Sequence, residues 1–353
     1  MAGLDGEKGG RIRPGSIDVH AHATDPVALA EMARLAPDLV PSLSERDGVW
    51  YTTFPGGPTR SIETGLLDIS VRLADMDRQG VQYQALACWV WLYLYEVPAD
   101  RAAELLQMQN DSLIDLARRF PDRFVALPGL PLQDATRSIR EIERLAKIPE
   151  VAGVQIGTNV NNRNLDDPSL DPVWAALEAH DIPALFHPDG VPLPGSFSTS
   201  ERLSRYHLKN LIGNPLDTAI ALASLAFGGV MKRYPGLRFC FVHGGGFMPY
   251  QLGRWDHGWD VRREAKVNID CHPSEYIERC WFDHVTHDTG ALEFLGKRFG
   301  WSQIVLGTDH PWDMETKTPL EDLEAVGLDD ATFEQVASVN PKAFLRWPSR
   351  SET

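Results

Sequence analysis

The chain has 353 residues, of which 43% are hydrophobic, and its 34 Lys and Arg against 49 Asp and Glu give a net charge of −15. This composition is ordinary for a soluble globular protein, and an acidic chain without a basic stripe argues against a nucleic-acid partner. Residues 1–14 are rich in glycine and charge and lack an apolar core, so they predict a flexible lead rather than a signal peptide or a membrane helix.

Eight short apolar runs alternate along the chain with longer segments of helical periodicity. The runs predict strands at 17–20, 81–87, 123–127, 151–156, 182–187, 238–243, 279–282 and 304–308. The other segments predict helices at 68–79, 98–119, 134–147, 171–180, 215–234, 288–299, 320–325 and 330–344. A strand followed by a helix, eight times over, predicts a (β/α)8 TIM barrel, which we expect as one domain over 15–348 with a short tail at 349–353.

Two segments interrupt this alternation. Residues 44–65 are rich in Gly, Pro, Thr and aromatic residues, which predicts a small β insertion that caps the barrel mouth after the first strand. Residues 189–204 form a second irregular stretch after the fifth strand, and long loops in that position build substrate pockets in barrel enzymes.

Side chains that bind metals follow three of the predicted strands. His20 and His22 end the first strand, and residues two apart on a strand point to the same side. His187 ends the fifth strand and Asp309 follows the eighth. Because the carboxyl ends of barrel strands meet at one mouth, we predict that these four residues hold one ion per chain. Three imidazoles and a carboxylate suit Zn²⁺, with Mn²⁺, Fe²⁺ or Co²⁺ as alternatives.

His243 follows the sixth predicted strand and precedes three glycines. A lone histidine there is more often a structural residue that bonds a carbonyl, but beside a metal at the mouth a general acid/base role is favoured. Asp309 itself either caps a turn or serves the ion and the reaction. His310, Trp312, Asp313 and the pair His284 and His287 are less specific, because loop caps or residues that support the ligands account for them equally well.

The four cysteines favour a reducing compartment. Cys88, Cys240, Cys271 and Cys280 show no C-x-x-C spacing, and three of them lie in or beside apolar runs. Reduced, mostly buried thiols are typical of cytosolic proteins, so we expect a cytoplasmic location and no membrane partner.

Several longer motifs carry a family resemblance: LADMDRQGV at 73–81, GVQIGT at 153–158, HGGG at 243–246 continuing to residue 258, and VLGTD at 305–309. With these motifs the chain resembles, over 17–345, the decarboxylase-like branch of the amidohydrolase superfamily, and most closely the 2-amino-3-carboxymuconate-6-semialdehyde decarboxylases. The resemblance implies one Zn²⁺ on His20, His22, His187 and Asp309, with His243 as the catalytic histidine. It also implies a homodimer, because Arg254 matches an arginine that in those enzymes holds a substrate carboxylate in the neighbouring subunit's site.

The chain departs from that branch near the substrate. Residues 49–54 contain no arginine where those decarboxylases have a second carboxylate-binding one, and Arg60 is the nearest replacement. Asp189 stands where they have a tryptophan, and His310 where they have a tyrosine. We therefore take Arg254, Asp189, His310 and Trp312 as candidate substrate contacts, and we expect a small carboxylate that differs from theirs.

The predicted activity is the non-oxidative decarboxylation of an aromatic or muconate-type carboxylate, with the metal as Lewis acid and His243 as acid/base. An alternative enzyme is a hydrolase in which a zinc-activated water attacks an amide, a lactone or a 1,3-dicarbonyl carbon. A third possibility is a metal-binding protein without catalysis, although such sites usually close with four protein ligands and lack an adjacent base.

Overall fold

The computed structural model describes residues 11–188 and 201–347, and all eight predicted strands are present in it. Residues 189–200, which include Asp189, lie outside the described part of the chain. In chain order the strands are β1 (Arg13–Ala23), β2 (Ser42–Arg46), β3 (Val49–Thr53), β4 (Thr59–Ser61), β5 (Val81–Cys88), β6 (Phe124–Leu127), β7 (Val154–Gly157), β8 (Ala184–His187), β9 (Phe239–Phe241), β10 (Trp281–Asp283) and β11 (Ile304–Val305).

Eight of these strands form two parallel sheets that close into a barrel. The first sheet has the order β1-β5-β6 and the second the order β7-β8-β9-β10-β11. At one seam the backbone N–H of Ala152 donates to the carbonyl of Ala126 at 3.0 Å. At the other, Val19 N donates to Leu306 O at 3.0 Å, and Asp309 N donates to His20 O at 2.8 Å. The predicted TIM barrel is thereby confirmed.

The helices lie largely where the periodicity predicts them. They are α1 (Pro26–Leu35), α2 (Thr64–Leu67), α3 (Ile69–Gln79), α4 (Ala99–Arg119), α5 (Ala135–Leu145), α6 (Asp171–Ala179), α7 (Asn214–Phe227), α8 (Val230–Arg233), α9 (Met248–Val261), α10 (Pro273–Ile277), α11 (Thr289–Phe299), α12 (Pro319–Ala325), α13 (Asp330–Glu334) and α14 (Asn340–Phe344). No helix among the described residues is both long and apolar enough to cross a membrane.

Two predicted helices are divided in the structure. Gly229 has a φ of +74°, and this left-handed residue separates α7 from α8 within the helix predicted at 215–234. A π-helical turn, Gln335–Val339, lies between α13 and α14 within the one predicted at 330–344. Helix α9 was not predicted, because it buries only Met248, Pro249 and Leu252 and therefore has a weak apolar period.

The insertion after β1 is a three-stranded antiparallel sheet of β2, β3 and β4. The Phe54 ring, just after β3, packs edge-on against Trp91 with 4.4 Å between ring centroids. Trp91 in turn lies 4.9 Å from Trp89 and 6.4 Å from Trp312, and the Trp312 ring is 6.0 Å from that of His22. The insertion thus packs against an aromatic cluster that extends to one of the predicted metal ligands.

The barrel interior is filled by small and branched side chains from alternate strand positions. A buried cluster inside the strands is formed by residues such as Ile17, Val19, Ala85, Val125, Leu185, Cys240 and Val305. A larger cluster lies between the strands and the helices. All four cysteines are free thiols, and Cys88, Cys240 and Cys280 are buried. Strand β1 begins at Arg13, inside the segment predicted as a flexible lead, and Arg13 N donates to Gly80 O at 2.8 Å.

Candidate metal centre

The four predicted ligands meet at the carboxyl end of the barrel. His20 and His22 lie on β1, His187 ends β8, and Asp309 follows β11. Their ligand atoms all lie within 4.8 Å of one another, and all four residues are buried. Asp309 Oδ1 is 3.2 Å from Nε2 of His20, 3.2 Å from Nε2 of His22 and 3.6 Å from Nε2 of His187. The distances place three imidazoles and one carboxylate around a single point.

The four converging atoms have no hydrogen-bond partner among the described residues. They are Nε2 of each histidine and Oδ1 of Asp309, and all are buried. A buried polar atom left without a partner costs about 1–3 kcal/mol, so four such atoms facing one point need an explanation. A divalent cation satisfies all of them, and an N₃O set is suited to such an ion. The residues therefore fit the metal that the sequence predicts.

The opposite nitrogen of each imidazole is held by an acceptor. His20 Nδ1 donates to Asp283 Oδ2 at 2.6 Å, His22 Nδ1 to the Cys88 carbonyl at 3.3 Å, and His187 Nδ1 to the Pro188 carbonyl at 2.5 Å. With the proton on Nδ1, the lone pair on Nε2 faces the centre in all three rings. Such partners of metal-binding histidines fix both the tautomer and the ring orientation.

Asp283 is a functional residue that the sequence reasoning missed. It is fully buried at the end of β10 and also accepts hydrogen bonds from Gly244 N at 2.9 Å and Val285 N at 3.3 Å. The available signal was the same one that singled out Asp309, namely a carboxylate directly after an apolar strand. Asp283 therefore joins the strand that carries His20 to the turn that follows His243.

The electrostatics of the cluster favour a cation. Burial lowers the pKa of His20, but the carboxylates of Asp309 and Asp283 outweigh it and raise that pKa to about 10. Burial raises the pKa of Asp309, but the neighbouring histidines hold it well below its usual value. Burial lowers the pKa of His187 to about 3, which keeps this imidazole neutral and able to act as a ligand. The raised pKa of His20 thus reflects the negative charge that the two carboxylates place around the ligand atoms, while His187 supplies a neutral nitrogen donor.

A buried polar network beneath the ligands ties β1 to β11. Asp18 accepts from His20 N at 2.9 Å, from Thr308 N at 3.0 Å and from Thr308 Oγ1 at 2.6 Å. Gln84 Nε2 donates to Asp18 at 3.0 Å, and Gln84 Oε1 accepts from Arg72 at 2.9 Å. Burial raises the pKa of Asp18 to about 6, against the effect of these donors. The network fixes the backbone of the first and last strands relative to each other.

His243 lies beside the ligand cluster, as its position in the sequence suggests. Its Nε2 is 3.3 Å from Asp309 Oδ2, and its ring centroid is 5.3 Å from that of His20. The glycines that follow have positive φ values, and a Cβ on Gly246 would lie only 2.2 Å from Pro215 O. The turn can therefore form only with glycine at that position. This turn holds the His243 imidazole over the barrel mouth.

A cavity of about 640 Å³ opens above His243 and Asp309. Its wall is mainly apolar, with polar and ionisable groups interspersed. It is lined by Leu211, Pro215, Phe247, Pro249, Tyr250, Val285, Ala291, Phe294, Leu295 and Met314, and by the polar residues Asn210, Asn214, Thr286, His287 and Asp288. Its size and composition suit a small organic substrate.

Comparison with known proteins places the chain in a family. The family model described as "Amidohydrolase" matches residues 17–347. The chain belongs to this family. It is 35% identical over 288 residues to the 2-amino-3-carboxymuconate-6-semialdehyde decarboxylase of Dictyostelium discoideum, which covers 81% of this chain and 79% of that protein. It is 29% identical over 277 residues to the gamma-resorcylate decarboxylase of Rhizobium radiobacter, covering 73% of this chain and 82% of that protein.

The solved structures agree with the fold of this amidohydrolase. The dihydroxybenzoic acid decarboxylase of Polaromonas sp. JS666, solved with bound manganese and the inhibitor 2-nitroresorcinol, superposes with a TM-score of 0.77. The two chains are 21% identical, and the match covers 96% of this chain and 99% of the other.

The candidate substrate contacts Arg254, Trp312 and His310 lie at different places relative to the cavity. Arg254 lies exposed on α9 and does not line the cavity. Trp312 packs beside His22, as described above. His310 is instead only 1% exposed, where its Nδ1 pairs with Glu315 Oε2 at 2.7 Å, and it does not line the cavity either. Arg60 is exposed on β4 and is not among the residues that line the cavity.

Proposed function

We propose that this amidohydrolase is a metal-dependent non-oxidative decarboxylase that acts on a small aromatic or muconate-type carboxylate. The observation that carries the proposal is the set of unpartnered ligand atoms of His20, His22, His187 and Asp309, with His243 beside them at the floor of a cavity. The names of the two curated relatives support the reaction, because both are decarboxylases.

His243 and Asp309 have distinct roles in this proposal. A divalent ion, when bound, supplies a Lewis acid that polarises an oxygen of the substrate. During decarboxylation the carboxylate leaves as CO₂, and the electron pair left on carbon takes a proton. His243 is placed to deliver that proton, because its ring reaches the cavity floor. Asp309 Oδ2, at 3.3 Å from His243 Nε2, orients the imidazole.

We propose Zn²⁺ as the resident ion, with Mn²⁺, Fe²⁺ or Co²⁺ as alternatives. Three imidazoles and a carboxylate are typical zinc ligands. Manganese is supported by its presence in the Polaromonas dihydroxybenzoic acid decarboxylase. Elemental analysis of the purified protein distinguishes among these ions.

We also propose a cytoplasmic homodimer in which Arg254 holds the substrate carboxylate in the partner's site. Tyr250, Arg254 and Val261 are spaced four and seven residues apart on α9, so they share one face of the helix. Tyr250 is 83% exposed and Val261 60% exposed. A face with large exposed apolar side chains on both sides of an arginine suits burial against a second subunit.

A hydrolase that uses the same centre is the second candidate, and the family's description supports it. Both reactions need the same ligands and the same histidine, so the products must decide between them. A decarboxylase in ²H₂O releases CO₂ and places one deuterium on the carbon that lost it. A hydrolase incorporates oxygen from H₂¹⁸O into its product and releases no CO₂.

The test of the function uses metal-loaded protein with 2,6-dihydroxybenzoate and with muconate-type acids. We expect CO₂ release in proportion to the bound metal. The variant with His20→Ala and His22→Ala should lose both the metal and the activity, whereas His180→Ala, at an exposed residue on the end of α6, should keep both. Full metal content in the double variant would contradict the proposed centre, and ¹⁸O incorporation without CO₂ would favour the hydrolase.

A further inference from the structure

A second pocket lies apart from the cavity above the metal centre. It has a volume of about 260 Å³ and lies between three segments: the turn after α1, the end of β3 in the insertion, and the connection from β5 to α4. Among the described residues, none lines both this pocket and the cavity above His243. A ligand bound here would therefore not occupy the space of the substrate.

Aromatic rings form one side of this pocket. Phe54, Trp91 and Tyr93 line it. The Phe54 and Trp91 rings meet at an angle of 73° with 4.4 Å between their centroids, and both side chains are partly exposed. Two rings at such an angle form a corner, in which a small group contacts aromatic surface on two sides.

The ionisable side chains of the pocket are both acidic. Asp38 and Glu96 line it and are exposed, and none of the described lining residues is Lys, Arg or His. In the described part of the chain, no basic residue forms an ion pair within 4.0 Å of either carboxylate. Arg101, the basic residue closest to Glu96 in the sequence, instead donates to Glu104 Oε2 at 2.7 Å and to the Leu35 carbonyl at 2.5 Å. The two carboxylates are therefore available to a ligand.

Aromatic surface and unpaired carboxylates together favour an organic cation. An ammonium group is attracted both by the faces of aromatic rings and by carboxylates, and aromatic cages recognise quaternary ammonium ligands in this way. An anion would be repelled by both carboxylates, whereas a neutral molecule would gain only apolar contact. The volume is slightly below the range of about 300–1,000 Å³ that is typical of drug-sized ligands, so it suits a small molecule.

Two residues of the pocket wall also contact the surroundings of the metal centre. Tyr93 Oη donates to the carbonyl of His187 at 3.2 Å. The Trp91 ring lies 6.4 Å from that of Trp312, which lies 6.0 Å from the ring of His22. A ligand that moves Tyr93 or Trp91 would therefore shift the backbone of one metal ligand and the ring that packs against another.

We propose that this pocket binds a small organic cation with a quaternary ammonium or alkylammonium group, and that the bound cation regulates the metal centre through Tyr93 and Trp91. Asp38 and Glu96 supply the negative charge, and the corner between Phe54 and Trp91 contacts the ammonium group. The site is separate from the proposed decarboxylation and does not depend on its substrate.

The first test compares choline with 3,3-dimethylbutan-1-ol, which has the same shape without the charge. Binding of each to the zinc-loaded full-length protein is measured by calorimetry. We expect choline to bind about tenfold more tightly, because only the cation gains from the rings and the carboxylates. Equal binding of the two compounds overturns the proposal, and so does the failure of choline to bind. Loss of choline binding as the protein concentration rises would mean that a second copy of the chain covers the pocket, which also overturns it.

Substitutions locate the bound choline. The double variant Asp38→Asn with Glu96→Gln should weaken choline binding about fivefold or more, whereas Asp122→Asn, at an exposed residue before β6, should not. Trp91→Leu should weaken it about fivefold or more, whereas Phe294→Leu, in the cavity above the metal centre, should not. Zinc content shows that each variant is folded. Wild-type affinity in the double variant or in Trp91→Leu would mean that choline binds elsewhere and would overturn the proposal.

The last test concerns regulation. Competition with a chelator gives the affinity for Zn²⁺ with and without saturating choline. We expect a change of about fivefold, and zinc should change the affinity for choline by the same factor, as linkage requires. Tyr93→Phe, which lacks the hydroxyl that contacts His187, should bind choline but reduce this factor. An unchanged zinc affinity overturns the regulatory role. Failure of every carboxylate to release CO₂ would end the decarboxylase proposal and leave these binding measurements unaffected.

Discussion

Asp283 offers the sharpest test of how the metal centre is built, because it touches a ligand without facing the ion. Its carboxylate is fully buried and accepts hydrogen bonds from His20 Nδ1, Gly244 N and Val285 N. Burial alone would raise the pKa of Asp283, but His20 and the backbone donor of Gly244 hold it below its usual value. The group is therefore ionised in the folded protein.

The substitution Asp283→Asn changes one oxygen into an amide nitrogen with little change in shape. The remaining oxygen can still accept from Gly244, so the –NH₂ group then faces His20 Nδ1, which is itself a donor. His20 must either move its proton to Nε2, which removes the lone pair from the metal, or rotate away. Loss of such a partner typically weakens metal binding about 10- to 100-fold, or about 1.4–2.8 kcal/mol.

The assay is competition for Zn²⁺ and Mn²⁺ against a chromophoric chelator, with the unfolding free energy of the metal-free protein measured in parallel. Asp329→Asn is the matched control, because Asp329 caps α13 by accepting from Thr332 N at 2.8 Å and is not part of the centre. We expect the control to keep wild-type affinity. Metal affinity of Asp283→Asn within twofold of wild type would refute the reasoning.

Three more outcomes follow from the site as described. His243→Ala should keep its metal while kcat falls roughly 10²-fold or more, the usual contribution of a general acid, and near-normal turnover of the metal-loaded variant would exclude that role. Arg254→Ala should raise KM for a carboxylate substrate. Mixing this variant with His243→Ala should restore activity, because one of the two sites in a hybrid dimer then has both groups intact. Tagged chains are used to check that the subunits exchange. No recovery despite exchange would mean that Arg254 does not act in the partner's site. Burial raises the pKa of Glu315 from 4.5 to about 7. Between those values the folded protein holds a proton that the unfolded chain releases, so the unfolding free energy should fall as pH rises, by at most about 3 kcal/mol. Glu315→Gln should flatten this dependence in denaturant titrations at pH 5 and 7.5, and an unchanged slope would contradict the assignment.

The ligand set was predictable because it depends on two general properties of barrels. Strand periodicity places His20 and His22 on one side, and the parallel arrangement brings His187 and Asp309 to the same mouth. These relations hold regardless of how the side chains pack. The turn after His243 was likewise indicated by its glycines.

Residues that act through other residues were harder to predict. The position of Asp283 resembles that of Asp309, and only the three-dimensional structure shows that one carboxylate faces the ion while the other faces a histidine ring. His310 was a candidate substrate contact because it stands where the related decarboxylases have a tyrosine; in the structure it pairs with Glu315, five residues later, and is not among the residues that line the cavity. Helix α9 escaped detection because tertiary contacts, rather than an apolar period, determine its position.

The seam between the first and last barrel strands has a consequence for how the protein acquires its ion. His20 and Asp309 come from opposite ends of the chain, so a ribosome must synthesise nearly all of the polypeptide before the site exists. The complete four-residue site can therefore form only after Asp309 has been synthesised. Once bound, the ion links the first barrel strand to the last and closes a loop of about 290 residues between His20 and Asp309. A permanent cross-link across a loop of that length would lower the entropy of the unfolded chain and raise the unfolding free energy by about 6 kcal/mol. That value is the upper limit of what the bound ion contributes through chain entropy.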